Sequence, residues 1–281
     1  MPIQAPFLTA VFALSAAVAW GSGDFTGGIA SRRVGAFRTI LISYTVGLAA
    51  LVVVALAWHE ALPGPVDLLW GGLAGLLGMA GLGFLLRGFA AGRMGIVAPV
   101  SASLAAAVPV LFTALTEGLP GPGKLLGFGL ALAGIWLLSR PEGLIGHPAG
   151  LGLALAAGMG FGGFFIALDQ VGEGAIFWPL AAGRLACCAL MLAFALATHR
   201  PLSAPRRLLG VIMLAGVLDV GGNLFFLLAT QAGRLDVATV LGSLYPVVTT
   251  VLAWLAAGEK LARMQAAGVA MAVAAIVLIT L

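Results

Sequence analysis

The sequence is poor in charge and in cysteine. Of its 281 residues only 14 are Lys or Arg and 10 are Asp or Glu, which is 9% of the chain, against about 25% in an ordinary soluble domain. The two cysteines, Cys187 and Cys188, are adjacent and so cannot form an ordinary disulfide with each other. These shortages exclude a soluble enzyme, a disulfide-stabilised secreted domain and a disordered chain.

Apolar residues are what the sequence has in abundance. Hydrophobic residues make up 62% of the chain, and the mean hydropathy is +1.14. The class that remains is a membrane protein with several spans. The net charge of +4 does not indicate a nucleic-acid partner, because Lys and Arg in such a protein report which loops face the cytoplasm.

Ten apolar runs are long enough to cross about 30 Å of hydrocarbon, which takes about 20 helical residues each. Short breaks with Pro, Gly or Arg separate them, and none of these breaks would hold a soluble domain. We therefore expect an all-α membrane protein with ten transmembrane helices. The predicted spans are 8–29, 38–58, 67–89, 94–116, 122–139, 149–169, 176–198, 207–230, 235–257 and 263–281.

The chain resembles itself when it is shifted by 141 residues. At this offset Gly92-Arg93 meets Gly233-Arg234, and Trp20 meets Phe161. Each half then holds five spans, and an odd number makes the second half enter the membrane from the opposite side. We expect two inverted-topology repeats, at 1–140 and 141–281, with a substrate site near the midplane where they meet.

The positive charges are distributed unevenly between the two sets of loops. The loops after spans 2, 4, 6 and 8 hold only Lys124 and Arg234. By charge bias the other set faces the cytoplasm, which places both termini outside. That other set holds Arg32, Arg33, Arg38, Arg87, Arg93, Arg140, Arg200, Arg206, Arg207, Lys260 and Arg263.

We single out four polar residues inside the predicted spans, where an ionisable group costs about 2.5–3.5 kcal/mol on insertion scales. They are Asp24, Arg184, Asp219 and Asn223, and the repeat duplicates none of the three charges. Asp24, Asp219 and Asn223 are therefore candidate substrate-binding residues, with either acid able to couple a proton. For Arg184 two interpretations stay open: a charge partner of Asp219 or Asp24, or a guanidinium that binds a substrate carboxylate.

Further candidates come from aromatic, hydroxyl and proline residues within the spans. Aromatic rings can stack on an apolar or cationic substrate, and hydroxyls can hydrogen-bond it, although packing and bonding to the helix backbone are the commoner fates. A proline frees a carbonyl one turn earlier and kinks a helix. The substrate-binding candidates are Trp20, Phe161, Ser101 and Tyr245, and the hinge candidates are Pro109 and Pro246.

Three segments resemble the EamA family of the drug/metabolite transporter superfamily. The segment 20–25 is similar to its W-G-S-x-x-F opening. The stretch from Gly92 to Glu117 is similar to its most recognisable signature, and the stretch from Ala232 to Leu261 contains a clearer copy. The ten spans and the five-plus-five repeat extend the resemblance over the whole chain.

The resemblance implies a carrier of small metabolites whose central cavity is lined mainly by spans 1, 3, 4, 6, 8 and 9, and not usually by span 7. Asp24 stands where the family commonly has Asn or another neutral residue. The resemblance also implies cytoplasmic termini, which is opposite to the charge count, so the orientation stays open.

Together these features predict a secondary transporter that exports amino acids or related amphipathic metabolites across a bacterial-type inner membrane by alternating access around a central cavity. The expected partners are a small-molecule substrate and the lipid bilayer, and a homodimer is left open. We expect no cofactor and no metal, because the sequence has no ATP-binding unit and its three histidines are far apart. An intramembrane lipid-modifying or lipid-handling protein is the alternative.

Overall fold

The computed structural model describes residues 4–91, 94–139, 150–257 and 262–280. Within these residues the chain forms eleven helices and no strand. They are α1 (Gln4–Val34), α2 (Ala36–Ala57), α3 (Pro65–Ala91), α4 (Met94–Thr116), α5 (Pro122–Ser139), α6 (Leu151–Asp169), α7 (Phe177–Ala197), α8 (Arg206–Ala232), α9 (Leu235–Gly242), α10 (Tyr245–Ala257) and α11 (Arg263–Thr280).

Glycine and proline set several helix ends. Gly35 between α1 and α2, and Gly118 after α4, both have φ +86°, a left-handed conformation that glycine adopts at little cost. Pro65 and Pro122 each occupy the first position of a helix, where the missing N–H of proline costs nothing.

The helices follow the predicted spans closely, which confirms an all-helical membrane protein. Among the described residues, eight helical segments are long and apolar enough to cross a membrane, and Val100–Thr116 and Pro122–Leu138 are shorter apolar helices. The expected boundary between the repeats, at 140–141, lies outside the described residues.

The predicted ninth span is interrupted at Ser243 and Leu244, between α9 and α10. Pro246 is the second residue of α10, just after the interruption, and it has no N–H to continue the helical ladder. The helix α4 runs without interruption through Pro109, and the hydroxyl of Thr113 donates to the Pro109 carbonyl at 2.9 Å. The role of either proline as a hinge stays a prediction.

The helices of the two halves pack in exchanged pairs. Helix α1 packs on α8 as α6 packs on α3, and α2 packs on α8 as α7 packs on α3. Likewise α1 contacts α9 and α10, as α6 contacts α4. Each of these packed pairs therefore has a counterpart in which both helices are replaced by the corresponding helices of the other half.

The exchange extends to individual residues where α5 packs antiparallel on α11. A Cβ at Gly127 would lie 3.3 Å from the Ala275 carbonyl oxygen, and one at Gly134 would lie 2.9 Å from that of Gly268. Shifting by 141 positions takes 127 to 268 and 275 to 134, so one contact becomes the other. The sequence offset is therefore reproduced in the packing.

The turns collect at two ends of the bundle. We call one the acidic end: it holds the turns α2–α3, α4–α5, α6–α7 and α8–α9, which are joined by hydrogen bonds among themselves and with the adjoining helix ends. The other is the basic end, where Arg38 in the first turn of α2 donates to the Ser203 carbonyl before α8. Ala30 and Val34 of α1 also pack on Leu208 and Ile212 of α8 there.

Candidate functional site

A cavity of about 270 Å³ lies at the centre of the bundle, between helices of both halves. This volume is close to the lower end of small-molecule sites, roughly 300–1,000 Å³. Helices α1, α2, α3, α4, α6, α7 and α8 line the cavity, together with Ser243 and Tyr245 at the break between α9 and α10. The cavity therefore lies where the repeat predicts a substrate site.

An ion pair forms one polar wall of the cavity. Arg184 of α7 donates to a carboxylate oxygen of Asp219 on α8. The guanidinium carbon also lies 4.1 Å from the ring centroid of Tyr44 on α2, within the range of a cation–π contact. The Arg184 side chain is only 6% exposed, whereas that of Asp219 is 36% exposed. Of the two interpretations of Arg184, the observed contact is the charge partner of Asp219.

Asp24 of α1 is a second carboxylate in the cavity lining. Asp219 and Tyr245 line the same cavity. In the part of the chain that the structure describes, no cation and no hydrogen-bond donor pairs with its side chain. With both acids ionised, the lining carries one more negative than positive charge, because Arg184 is its one cation among the described residues.

Aromatic rings form the wall beside these charges. The Trp20 ring centroid lies 5.9 Å from that of Phe165 and 6.5 Å from those of Phe164 and Tyr245. The indole Nε1 of Trp20 donates to Oδ1 of Asn223 at 2.9 Å, which ties α1 to α8 and fixes both side chains. Phe161 completes this wall from α6.

The structure brings most of the predicted site residues together. Ser101 is not among them: it is only 2% exposed, and its carbonyl lies against Gly158 of α6, whereas Ala102 and Ala105 of the same helix line the cavity. The candidates that do line it are Trp20, Asp24, Phe161, Arg184, Asp219, Asn223 and Tyr245.

Two parts of the lining were missed by the sequence reasoning. The resemblance implied that span 7 would not usually line the cavity, but α7 supplies Leu180, Gly183 and Cys187 beside the predicted Arg184. Tyr44 was assigned no role. The repeat gave no signal for it, because the 141-residue offset pairs Tyr44 with Leu185, which is 58% exposed.

The acidic end is closed by hydrogen bonds between the two halves. The Glu60 carboxylate accepts the backbone N–H groups of Ile176, Phe177 and Trp178 at 2.5–3.2 Å, where a helix N-terminus favours negative charge. Oδ1 of Asp67 accepts the N–H of Gly172 at 2.8 Å. We call these contacts of Glu60 and Asp67 with residues 172–178 the acidic-end latch.

Arg234 adds a further connection at the acidic end. Its guanidinium pairs with Asp236 at 2.8 Å and with Glu117 at 3.5 Å, and it donates to the Gly118 carbonyl. The hydrogen bond with Asp236, reinforced by the charges of Asp236 and Glu117, raises the pKa of Arg234 above its usual value. Arg234 thus stays charged and joins the α4–α5 turn to the start of α9.

A match to a family model assigns this chain to a protein family. The model of the EamA-like transporter family matches residues 7–140 and again 148–281. The chain belongs to the EamA-like transporter family. It is therefore a multi-pass membrane protein with two EamA repeats that transports small molecules. The alternative of a lipid-modifying protein is not favoured, because the EamA family is one of transporters and not of enzymes.

The comparison with solved structures supports the fold alone. No curated protein matches this chain. A crystal structure described only as that of a protein is 22% identical, covers 97% of this chain and 98% of its own, and superposes with a TM-score of 0.80. The EamA chain thus shares its whole fold with a solved structure.

Proposed function

We propose that this EamA protein is a secondary transporter that exports amino acids or related amphipathic metabolites across a bacterial-type inner membrane. The observation that carries the proposal is the central cavity, which is lined by both repeats and holds two carboxylates, an arginine and an aromatic wall. Charged side chains at membrane depth are costly and typically mark a substrate or ion pathway. An amphipathic metabolite would meet polar and apolar surfaces side by side.

The proposed scaffold has ten crossings in two inverted repeats, covering residues 1–140 and 141–281. The antiparallel packing of α5 on α11 and the exchanged helix pairs support it, because a two-fold axis in the membrane plane relates such copies. Alternating access then arises when one repeat rocks against the other around the cavity.

In this mechanism the acidic-end latch is a closed gate. Its hydrogen bonds join Glu60 and Asp67 of the first repeat to residues 172–178 of the second, so movement between the repeats must break them. At the basic end Arg38 donates to the Ser203 carbonyl, and the Arg200 guanidinium carbon lies 5.8 Å from the Phe37 ring centroid. The lining residues Leu82 and Leu85 continue along α3 towards that end, which favours access from the basic side.

Reconstituted transport tests the proposal. Purified protein in liposomes loaded with labelled amino acids, amines and carboxylic acids should release at least one of these classes faster than protein-free liposomes. An Arg184→Gln and Asp219→Asn double variant, which leaves the net charge of the lining unchanged but replaces the ion pair by two neutral amides, should slow that release. If none of the three classes moves, the proposed function is wrong.

A further inference from the structure

We propose that the cavity selects a substrate with a protonated amine and no free carboxylate, and that Asp24 binds the ammonium group. This inference rests on the proposed transport function and narrows its substrate class from amino acids and related metabolites to the related amines. It depends on two observations: Arg184 and Asp219 are already paired with each other, whereas Asp24 is not paired, and aromatic rings lie beside Asp24.

The first step concerns the cation of the cavity. A substrate carboxylate needs a donor or a positive charge, and Arg184 is the one cation in the described lining. Its guanidinium already binds Asp219 and lies over the Tyr44 ring, and the side chain is almost fully buried. A carboxylate would have to displace Asp219 and leave that acid without its partner, which is costly in a poorly hydrated site.

The second step concerns the acid that has no partner. The Asp24 carboxylate lines the cavity, and among the described residues it makes no ion pair and no hydrogen bond. An ammonium group offers three N–H donors and a full positive charge, so it would satisfy the carboxylate and bring the lining to neutrality. A zwitterion would supply the same ammonium group together with a carboxylate that has no free counter-charge.

The third step concerns the surface beside Asp24. Trp20 lies one helical turn before Asp24 on α1, and the Tyr245 ring centroid is 6.5 Å from that of Trp20. The negative faces of such rings attract a cation. Phe161, Met79 and Leu82 also line the cavity and give apolar surface for an aromatic or aliphatic body. The site therefore suits a compact amine with one apolar group.

A matched set of probes separates the charges while keeping the apolar body constant. 2-Phenylethylamine, phenylalanine and 3-phenylpropionate share a phenylethyl group and carry the amine, both groups and the carboxylate, respectively. With detergent-purified full-length protein at pH 7, we expect 2-phenylethylamine to bind at least ten times more tightly than either other probe by calorimetry. 3-Methylbutylamine should exceed leucine and 4-methylpentanoate in the same way.

Three variants test the assignment to Asp24. Asp24→Asn should weaken amine binding at least tenfold, and Asp24→Glu should restore part of it. Glu173→Gln makes the same chemical change at an exposed acid of the α6–α7 turn and should leave binding unchanged. If Asp24→Asn does not fold, the ranking of the three probes on the unaltered protein still tests whether the site selects an amine without a carboxylate.

The inference is overturned if phenylalanine or 3-phenylpropionate binds as tightly as the amine, if no amine binds, or if folded Asp24→Asn keeps the amine affinity. Its failure is distinguishable from failure of the proposed function. Liposomes that release amino acids or carboxylic acids but no amine refute the amine selectivity alone, whereas liposomes that release none of the three classes refute both.

Discussion

Arg184 on α7 and Asp219 on α8 form an ion pair at the centre of the bundle, with the guanidinium almost fully buried and the carboxylate open to the cavity. Both residues belong to the second repeat, whereas Asp24 belongs to the first. The pair thus neutralises two charges within the second repeat, and the unpaired acid, Asp24, belongs to the first.

The ion pair should contribute measurably to stability. Arg184→Gln or Asp219→Asn alone leaves a charge without its partner, so we expect each to lower the free energy of unfolding by up to ~3 kcal/mol, below the range for a fully buried pair because Asp219 is partly exposed. The double variant should lose less than the sum of the two, by ~1–3 kcal/mol. Thermal unfolding in detergent measures this, and strict additivity would contradict the pairing.

The acidic-end latch should depend on the Glu60 carboxylate. Glu60→Gln removes the negative charge beside the α7 N-terminus and replaces one acceptor oxygen of the side chain by an NH₂ group. We expect the free energy of unfolding to fall by ~1–2 kcal/mol. Amides 176–178 should then exchange hydrogen faster. Glu173→Gln, in the neighbouring turn, is the control and should alter neither quantity. If the amide hydrogen exchange of residues 176–178 is unchanged in Glu60→Gln, the proposed role of Glu60 in the latch is contradicted.

The position of the Trp20 ring should be sensitive to a single methyl group. A Cβ at Gly222 would overlap the indole ring, whereas at the adjacent Gly221 it would have only the Ala19 Cβ nearby, at 3.9 Å. We expect Gly222→Ala to shift the ring, break its hydrogen bond to Asn223 and weaken amine binding at least tenfold. Gly221→Ala should be close to neutral. Calorimetric binding of 2-phenylethylamine to the two variants makes the comparison.

The contact between α5 and α11 should tolerate added volume at one glycine and not at another. A Cβ at Gly134 would lie 2.9 Å from the Gly268 carbonyl oxygen, whereas nothing lies within 4 Å of one at Gly129. Overpacking of this kind typically costs about 1–3 kcal/mol. Gly134→Ala should therefore lower the midpoint of thermal unfolding, and Gly129→Ala should not. Equal midpoints would mean that α5 and α11 are packed differently.

The charge asymmetry predicts the orientation in the membrane. The basic end should face the cytoplasm, since Lys and Arg accumulate there. In a variant without Cys187 and Cys188, an impermeant maleimide added to intact cells should label Glu173→Cys at the acidic end and spare Ser203→Cys at the basic end. Labelling of Ser203→Cys alone would favour the cytoplasmic termini that the family resemblance implies.

The helices could be predicted from the sequence because apolar run length is set by bilayer thickness, and because breakers such as Pro65 and Pro122 mark where helices begin. The interruption at Ser243 and Leu244 was only indicated by Pro246. A helix and a broken helix of the same hydropathy differ in how the backbone is satisfied by its neighbours, which a single sequence does not record.

The members of the site could be predicted better than their pairing. Asp24, Arg184 and Asp219 were identifiable because charges are rare inside spans. Which acid receives the arginine depends on the packing of α7 on α3 and of α2 on α8, which is set by contacts between residues far apart in the chain. Ser101 illustrates the same limit, since a rotation of α4 by one residue decides whether a serine or Ala102 meets the cavity.

Asp24 lies on α1 in the first repeat, and the Arg184–Asp219 pair lies on α7 and α8 in the second. If the repeats move against each other as proposed, the separation between a lone negative charge and an ion pair changes in surroundings of low permittivity, where such a change has a large energy. In the proposed cycle the occupancy of the centre would then act on the two halves through this electrostatic energy, without a loop or an added domain to transmit it.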